Sequence, residues 1–229
     1  PAFNHAFSDF HLGWEWNTSS YIDLLKINGG KNRIAYHSKI NNLHISDDLV
    51  RKIHSRKQYH YLEFIKKNKI TFKTGVLRLI TELNKKNVRQ FIVTSSSKEQ
   101  VYLLVKYLFQ GFDPFEFIIS SDDVEFHKPN PSPYLKAMKL SGINAKNSIV
   151  FEDSNAGLKS ALAAKLPLIY IPSNIPTIID KDININCIID NLGDDNKKAK
   201  VYKGPKLDKN IIDYFYLNQY VNILSNAED

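Results

Sequence analysis

Apolar positions in the first third of the chain fall at helical spacing. Phe3, Phe7 and Phe10 share one face, "SSYIDLLKI" continues the pattern, and "ISDDLVRKIHSRKQYHYLEFIKK" is a long amphipathic stretch with Ser46 placed as its N-cap. From "GVLRLITELNKKN" onward the texture changes. Short apolar runs, "RQFIV", "FEFIIS", "SIVF" and "PLIYI", alternate with helical segments through "EQVYLLVKYL", "YLKAMKL" and "GLKSALAA". That rhythm predicts a doubly wound parallel sheet with helices on both faces, an α/β fold. The division it implies is a helical cap over residues 1–70 and an α/β core over 71–229. Beyond Pro172 the pattern loosens, leaving "CIIDNLGDD" as an edge strand and loop and "NIIDYFYLNQYVNIL" as a last helix.

At 229 residues, with 43% hydrophobic content, the chain is long enough to bury a core under a cap. The net charge of +7 raises a nucleic-acid reading. The basic residues are scattered in short clusters such as "FIKKNK" and "NKKAK", without a basic stripe interleaved with stacking aromatics, so a solvated surface accounts for them. A positive field also suits capture of a phosphorylated small molecule. No apolar run approaches the roughly 18 residues of a membrane span, and "PAFNHAFSDF" is too polar for a secretory signal. The single Cys187, in a predicted strand "NINCIID", excludes an intrachain disulfide and fits a reducing compartment, cytoplasm or plastid stroma. A monomer is the default state.

In open parallel sheets ligands gather at the carboxyl ends of the strands. After "RQFIV" comes "TSSS", Thr94 to Ser97; after "FEFIIS" comes a loop carrying Lys128 in "HKPNPSPY"; after "SIVF" come Glu152 and Asp153. Each has a structural reading: helix capping for the hydroxyls, a solvated loop for Lys128, and a strand-to-helix turn with Ser154 or Asn155 near the N-cap for "EDSNAG". In chain order they describe phosphoryl chemistry. Carboxylates hold Mg2+, while the hydroxyl and the cation bind phosphate oxygens.

Thr94, Lys128 with its "PNP", and "FEDSNAG" resemble the second, third and fourth motifs of the haloacid dehalogenase superfamily, a Rossmann-like core with an inserted helical cap. "PAFNHAFSDFHLGWEW", "NGGKNR" and "IIDNLGDD" resemble its CbbY-type branch, related to β-phosphoglucomutase and including phosphatases of sugar bisphosphates such as xylulose 1,5-bisphosphate. The resemblance implies that Thr94 and the backbone N–H of Ser95 bind the transferring phosphoryl group and that Lys128 neutralises charge beside it. It also implies that Asp153, with Glu152, serves Mg2+, and that Lys31 and Arg33 of the cap meet the distal part of a phosphorylated sugar.

The family's nucleophile motif, Asp-x-Asp at the end of a first strand, has no match near the N-terminus. Asp9, in "FSDFHL", follows no apolar strand. Asp180 and Asp182 have the spacing but read as a loop. The opening of the chain resembles the stretch that lies downstream of the nucleophile, so the expectation is a truncated polypeptide that lacks the first strand, exposes apolar sheet edges and is inactive as it stands. A phosphosugar mutase, and a non-catalytic remnant that binds a phosphorylated ligand or a protein, are the alternatives.

Overall fold

The computed structural model describes residues 1–24, 27, 29–67, 70–173 and 183–226. They form two compact units: Pro1–Ile70 with Glu99–Gln110, and Thr71–Lys98 with Gly111–Asp229. The Asp180 and Asp182 pair lies outside the described residues.

The first unit is helical. It holds α1 (Ala2–Asp9), α2 (Thr18–Leu24), α3 (Gly30–Ile40) and α4 (Asp47–Lys67), and most of α6 (Lys98–Phe109) groups with them. The helical spacing of Phe3 and Phe7 puts both rings into a core with Trp16, Ile34, Val50 and Ile53. Helix α4 begins as its sequence predicts: Leu49 N–H donates to Ser46 Oγ at 3.2 Å, satisfying one of the unpaired donors of the first turn.

The second unit contains the sheet. Helix α5 (Val76–Lys85) precedes β1 (Phe91–Val93), and β2 (Phe117–Ile119) follows α6; α7 (Ser132–Ser141), β3 (Val150–Glu152), α8 (Asn155–Ala163) and β4 (Leu168–Tyr170) come next. The chain then runs through β5 (Ile188–Ile189), β6 (Val201–Lys203) and α9 (Tyr214–Asn226). Strand β4 shows why both sheet faces are covered. Side chains alternate along a strand, so Ile169 enters a core with Leu79, Leu83, Ile212 and Leu217, while Leu168 and Tyr170 enter another with Tyr134, Leu158 and Ala161.

The parallel pairing is divided between two sheets. β1 pairs with β2, Phe91 opposite Phe117 through Val93 opposite Ile119. A separate sheet has the order β3-β4-β5-β6, with β3, β4 and β5 parallel. The expected edge strand in "CIIDNLGDD" is β5, and it is interior: β6 covers it antiparallel, Ile188 opposite Lys203. The three residues of β6 are too few to show an alternation, which is why the sequence pattern passes over it. Cys187 lies one residue before β5 and is fully buried, 3.5 Å from the Tyr216 hydroxyl. A Cβ at Gly204 would come within 2.9 Å of its sulfur.

Candidate active site

Three loops at strand carboxyl ends meet through one side chain, Lys128. Its ammonium donates to the backbone oxygen of Val93 at 2.9 Å and to Glu152 Oε1 at 2.5 Å, and it lies 3.2 Å from the Tyr134 hydroxyl. Val93 directly precedes Thr94, and Glu152 directly precedes Asp153. Lys128 thus joins the backbone at the start of the hydroxyl run to the first residue of the acidic doublet.

The local sequence explains how Lys128 is held. Ser120, at the end of β2, opens a capping box: Asp122 N–H donates to Ser120 Oγ at 3.2 Å, and Ser120 N–H to Asp123 Oδ2 at 2.8 Å. The loop continues through a cis Lys128–Pro129 bond. The buried Ser160 of α8 donates to the Asn130 carbonyl at 2.6 Å, and Asn130 Oδ1 accepts from Ser132 N–H at 2.9 Å as α7 begins. Lys128 is therefore fixed from both sides of its loop before any ligand arrives.

Lys128 and Glu152 are both buried. An ion pair withdrawn from water holds only when further hydrogen bonds compensate the lost hydration. Here Val93 O, the Tyr134 hydroxyl and Ser154 Oγ, at 3.4 Å from Glu152 Oε2, supply them. Burial, followed by the Glu152 charge, pushes the Tyr134 phenol well above its usual range, so it stays a neutral donor to that carboxylate. Tyr134 was not singled out in the sequence; an aromatic in the first turn of a predicted helix reads as core. Gly157 completes the arrangement, because a Cβ there would collide with the Glu152 carboxylate.

The two acidic neighbours differ sharply. Glu152 Oε1 is taken by Lys128 and Tyr134, whereas Asp153 is exposed, with Lys73 at 4.0 Å. Partial desolvation, then the Glu152 charge, raises the Asp153 carboxyl above its ordinary value, against the pull of Lys73 and Lys128. Among the described residues no group of three His, Cys, Asp or Glu side chains is placed to hold a metal ion. Asp153 is the carboxylate open to a hard cation, which suits Mg2+, an ion commonly held through one or two carboxylates with waters and substrate phosphates completing its shell.

Thr94 N–H is bound by the Ile119 carbonyl at 2.8 Å, and Thr94 Oγ1 accepts from Ser96 N–H at 3.1 Å, a turn that bends the chain off β1. Ser95 is exposed at its tip. Lys31 and Arg33 belong to the helical unit, near the start of α3. Lys31 is exposed, while Arg33 Nε donates to the carbonyls of Leu24 and Ile27 at 3.1 and 2.9 Å. Arg33 thereby ties down the end of α2, a structural task its sequence position did not reveal.

The fold is that of an α/β protein with Lys128, Glu152 and Asp153 gathered beyond the carboxyl ends of parallel strands. A haloacid dehalogenase-like hydrolase family model matches residues 1–171. Protein CbbY of Rhodobacter capsulatus is 34% identical over 174 residues, spanning 75% of this chain and 77% of that one. The crystal structure of a CbbY mutant from Rhodobacter sphaeroides in complex with xylulose-(1,5)bisphosphate aligns with a TM-score of 0.74 at 27% identity, over 83% of this chain and 85% of that one. A β-phosphoglucomutase from Clostridium difficile shares the fold, with a TM-score of 0.70 at 18% identity over 98% and 92% of the two chains. The chain belongs to the haloacid dehalogenase-like hydrolases, on their CbbY-type branch.

Proposed function

We propose that this chain carries most of the phosphate-handling machinery of a sugar-phosphate phosphatase, acting on small phosphorylated sugars with a bisphosphate such as xylulose 1,5-bisphosphate as the leading candidate. The observation that carries the reading is the pre-fixed Lys128 ammonium between the ends of β1 and β3. A buried cation held in place by neutral and anionic partners stabilises charge on a transferring phosphoryl group without reorganising. In this reading Thr94 Oγ1 and the Ser95 N–H bind phosphoryl oxygens, Asp153 contributes one ligand to Mg2+, and Glu152 holds the Lys128 side chain in place. When bound, Mg2+ would offset the negative charge of the ester. Lys31, exposed on α3, is proposed to meet the distal part of the sugar; Arg33 has the same proposed role, with its Nε already engaged. The likeness to CbbY, whose mutant was solved with xylulose-(1,5)bisphosphate, supports the substrate class.

The reaction expected of this family is in-line attack by an aspartate on phosphorus, loss of the sugar alcohol, and hydrolysis of the aspartyl-phosphate by water. The only Asp-x-Asp of the sequence, Asp180 and Asp182, is preceded by only a short apolar segment, so residues 1–229 alone are expected to be inactive. The test is phosphate release from a panel of sugar mono- and bisphosphates with Mg2+. Residues 1–229 are expected to release none, whereas a longer polypeptide that begins with an apolar strand ending in Asp-x-Asp is expected to release phosphate. Lys128→Ala and Asp153→Asn in that longer chain are each expected to abolish most of the rate. Release by residues 1–229 would overturn the nucleophile assignment, and silence of the longer chain on every ester would overturn the function.

A further inference from the structure

The stretch after β6 and the first turns of α9 enclose a cavity of about 400 Å³. None of Thr94, Lys128, Glu152 or Asp153 lines it. Asp208, Lys209, Asp213 and Gln219 form its polar wall, and Ile211 and Phe215 lie on its apolar side. In a chain of net charge +7, this wall carries two carboxylates and one ammonium.

Asp213 stands just before α9, and its Oδ1 accepts the Tyr216 N–H at 2.9 Å, the bond of a helix cap. The residue is buried, and its second oxygen faces the Lys209 ammonium at 3.4 Å. Charge-assisted N–H···O bonds close to about 2.7–2.9 Å. This one is stretched, and the Lys209 side chain is 66% exposed, so a buried carboxylate oxygen beside a cavity is left short of a close donor. The Phe215 ring is 65% exposed and already lies under two ammoniums, Lys209 at 5.7 Å and Lys86 at 5.3 Å from its centroid, as expected of a ring face that attracts cations. Among the described residues, the side chains of Asp208 and Gln219 have no hydrogen-bond or ion-pair partner.

We propose that this cavity binds a linear aliphatic diamine. One ammonium takes the place of Lys209 at Asp213 Oδ2 beside the Phe215 ring, the second meets Asp208, and the methylenes between them lie against Ile211 and Phe215. The Gln219 amide oxygen offers a further acceptor. Lys209 is then a tethered stand-in for the guest. An exposed ion pair contributes little, so a free ammonium that closes to full hydrogen-bond distance displaces it. A phosphate ester is a poor occupant, because it would meet both carboxylates. The inference does not rest on the phosphatase reading, since it uses none of the residues around Lys128.

The test titrates 15N-labelled residues 1–229 with 1,4-diaminobutane at constant ionic strength and follows the amide resonances. The expected result is a saturable shift of the Gln219 side-chain amide and of the Phe215 and Tyr216 backbone amides. Asp213→Asn keeps a cap acceptor of equal quality and is expected to raise the half-saturation concentration at least about tenfold, through loss of a buried bond to a charged group. Lys209→Gln removes the stand-in and is expected to lower it about two- to fivefold, the release of an exposed ion pair. A Lys209 that only supports the fold would leave it unchanged or raise it, and either result overturns the inference. So would shifts that rise linearly without saturating, equal binding of 1,4-butanediol or 1-aminobutane, or an Asp213→Asn chain that binds as tightly as the parent.

Discussion

Lys128 Nζ lies 2.5 Å from Glu152 Oε1, both side chains are buried, and the Tyr134 hydroxyl touches each of them. Removing one charge of such a pair strands the other without water. Glu152→Gln is therefore expected to cost about 3–5 kcal/mol. Urea denaturation followed by far-ultraviolet circular dichroism measures it, and a loss under 1 kcal/mol would mean that Lys128 has found water or another partner.

Tyr134→Phe keeps the ring that packs with Leu158 and Tyr170 and deletes only the hydroxyl. Glu152 Oε1 then accepts from Lys128 alone. The expected loss is about 1–3 kcal/mol, the range for a buried hydrogen bond to a charged group. A double-mutant cycle with Glu152→Gln should give a coupling energy of at least about 0.5 kcal/mol, because the two residues share one network; strict additivity would break that picture.

Gly157→Ala sets two effects against each other. Helix propensity alone favours alanine by about 1 kcal/mol in a helix interior. The new Cβ, however, would overlap the Glu152 carboxylate, and overpacking of this kind costs about 1–3 kcal/mol. Destabilisation is expected to win, read as a lower melting temperature, and a rise in melting temperature would show that Glu152 moves aside freely.

In the helical unit, burial and then the nearby Arg33 charge lower the Lys57 amine to about 8. An unfolded lysine holds its proton to about 10.4. Between those values the unfolded chain binds more protons than the folded one, so this residue makes stability rise with pH from about 8 to 10.4. Below about 8 both states are protonated and the penalty of the buried charge is complete. Lys57→Met is expected to raise stability near pH 7 and to flatten this rise. Urea melts of both proteins at pH 7 and pH 10 decide it: the gap between them should narrow at the higher pH, and a constant gap would mean that Lys57 titrates as in water.

Patterns of one element were legible in the sequence; relationships between distant elements were not. The spacing of Phe3 and Phe7 gave the α1 core face, Ser46 the start of α4, and the apolar runs around Phe91, Phe117, Val150 and Leu168 the parallel strands, each a local signal. The cap of α8 was readable too: Gly157 N–H donates to Ser154 Oγ at 3.0 Å. Strand β6 escaped because it exists through pairing with β5, not through its own three residues. The site divides the same way. Thr94, Lys128, Glu152 and Asp153 announce themselves by following apolar runs. That Glu152 turns inward while Asp153 faces solvent depends on Tyr134 and Gly157, which nothing in the spacing ties to the acidic doublet.

The lone thiol, at position 187, is sealed against Tyr216 and the Gly204 backbone, with no solvent-accessible surface. A thiol-specific dye added to the intact protein can react only in molecules that open this part of the fold. Its labelling rate is thus a built-in stopwatch for that opening, available without introducing a single probe.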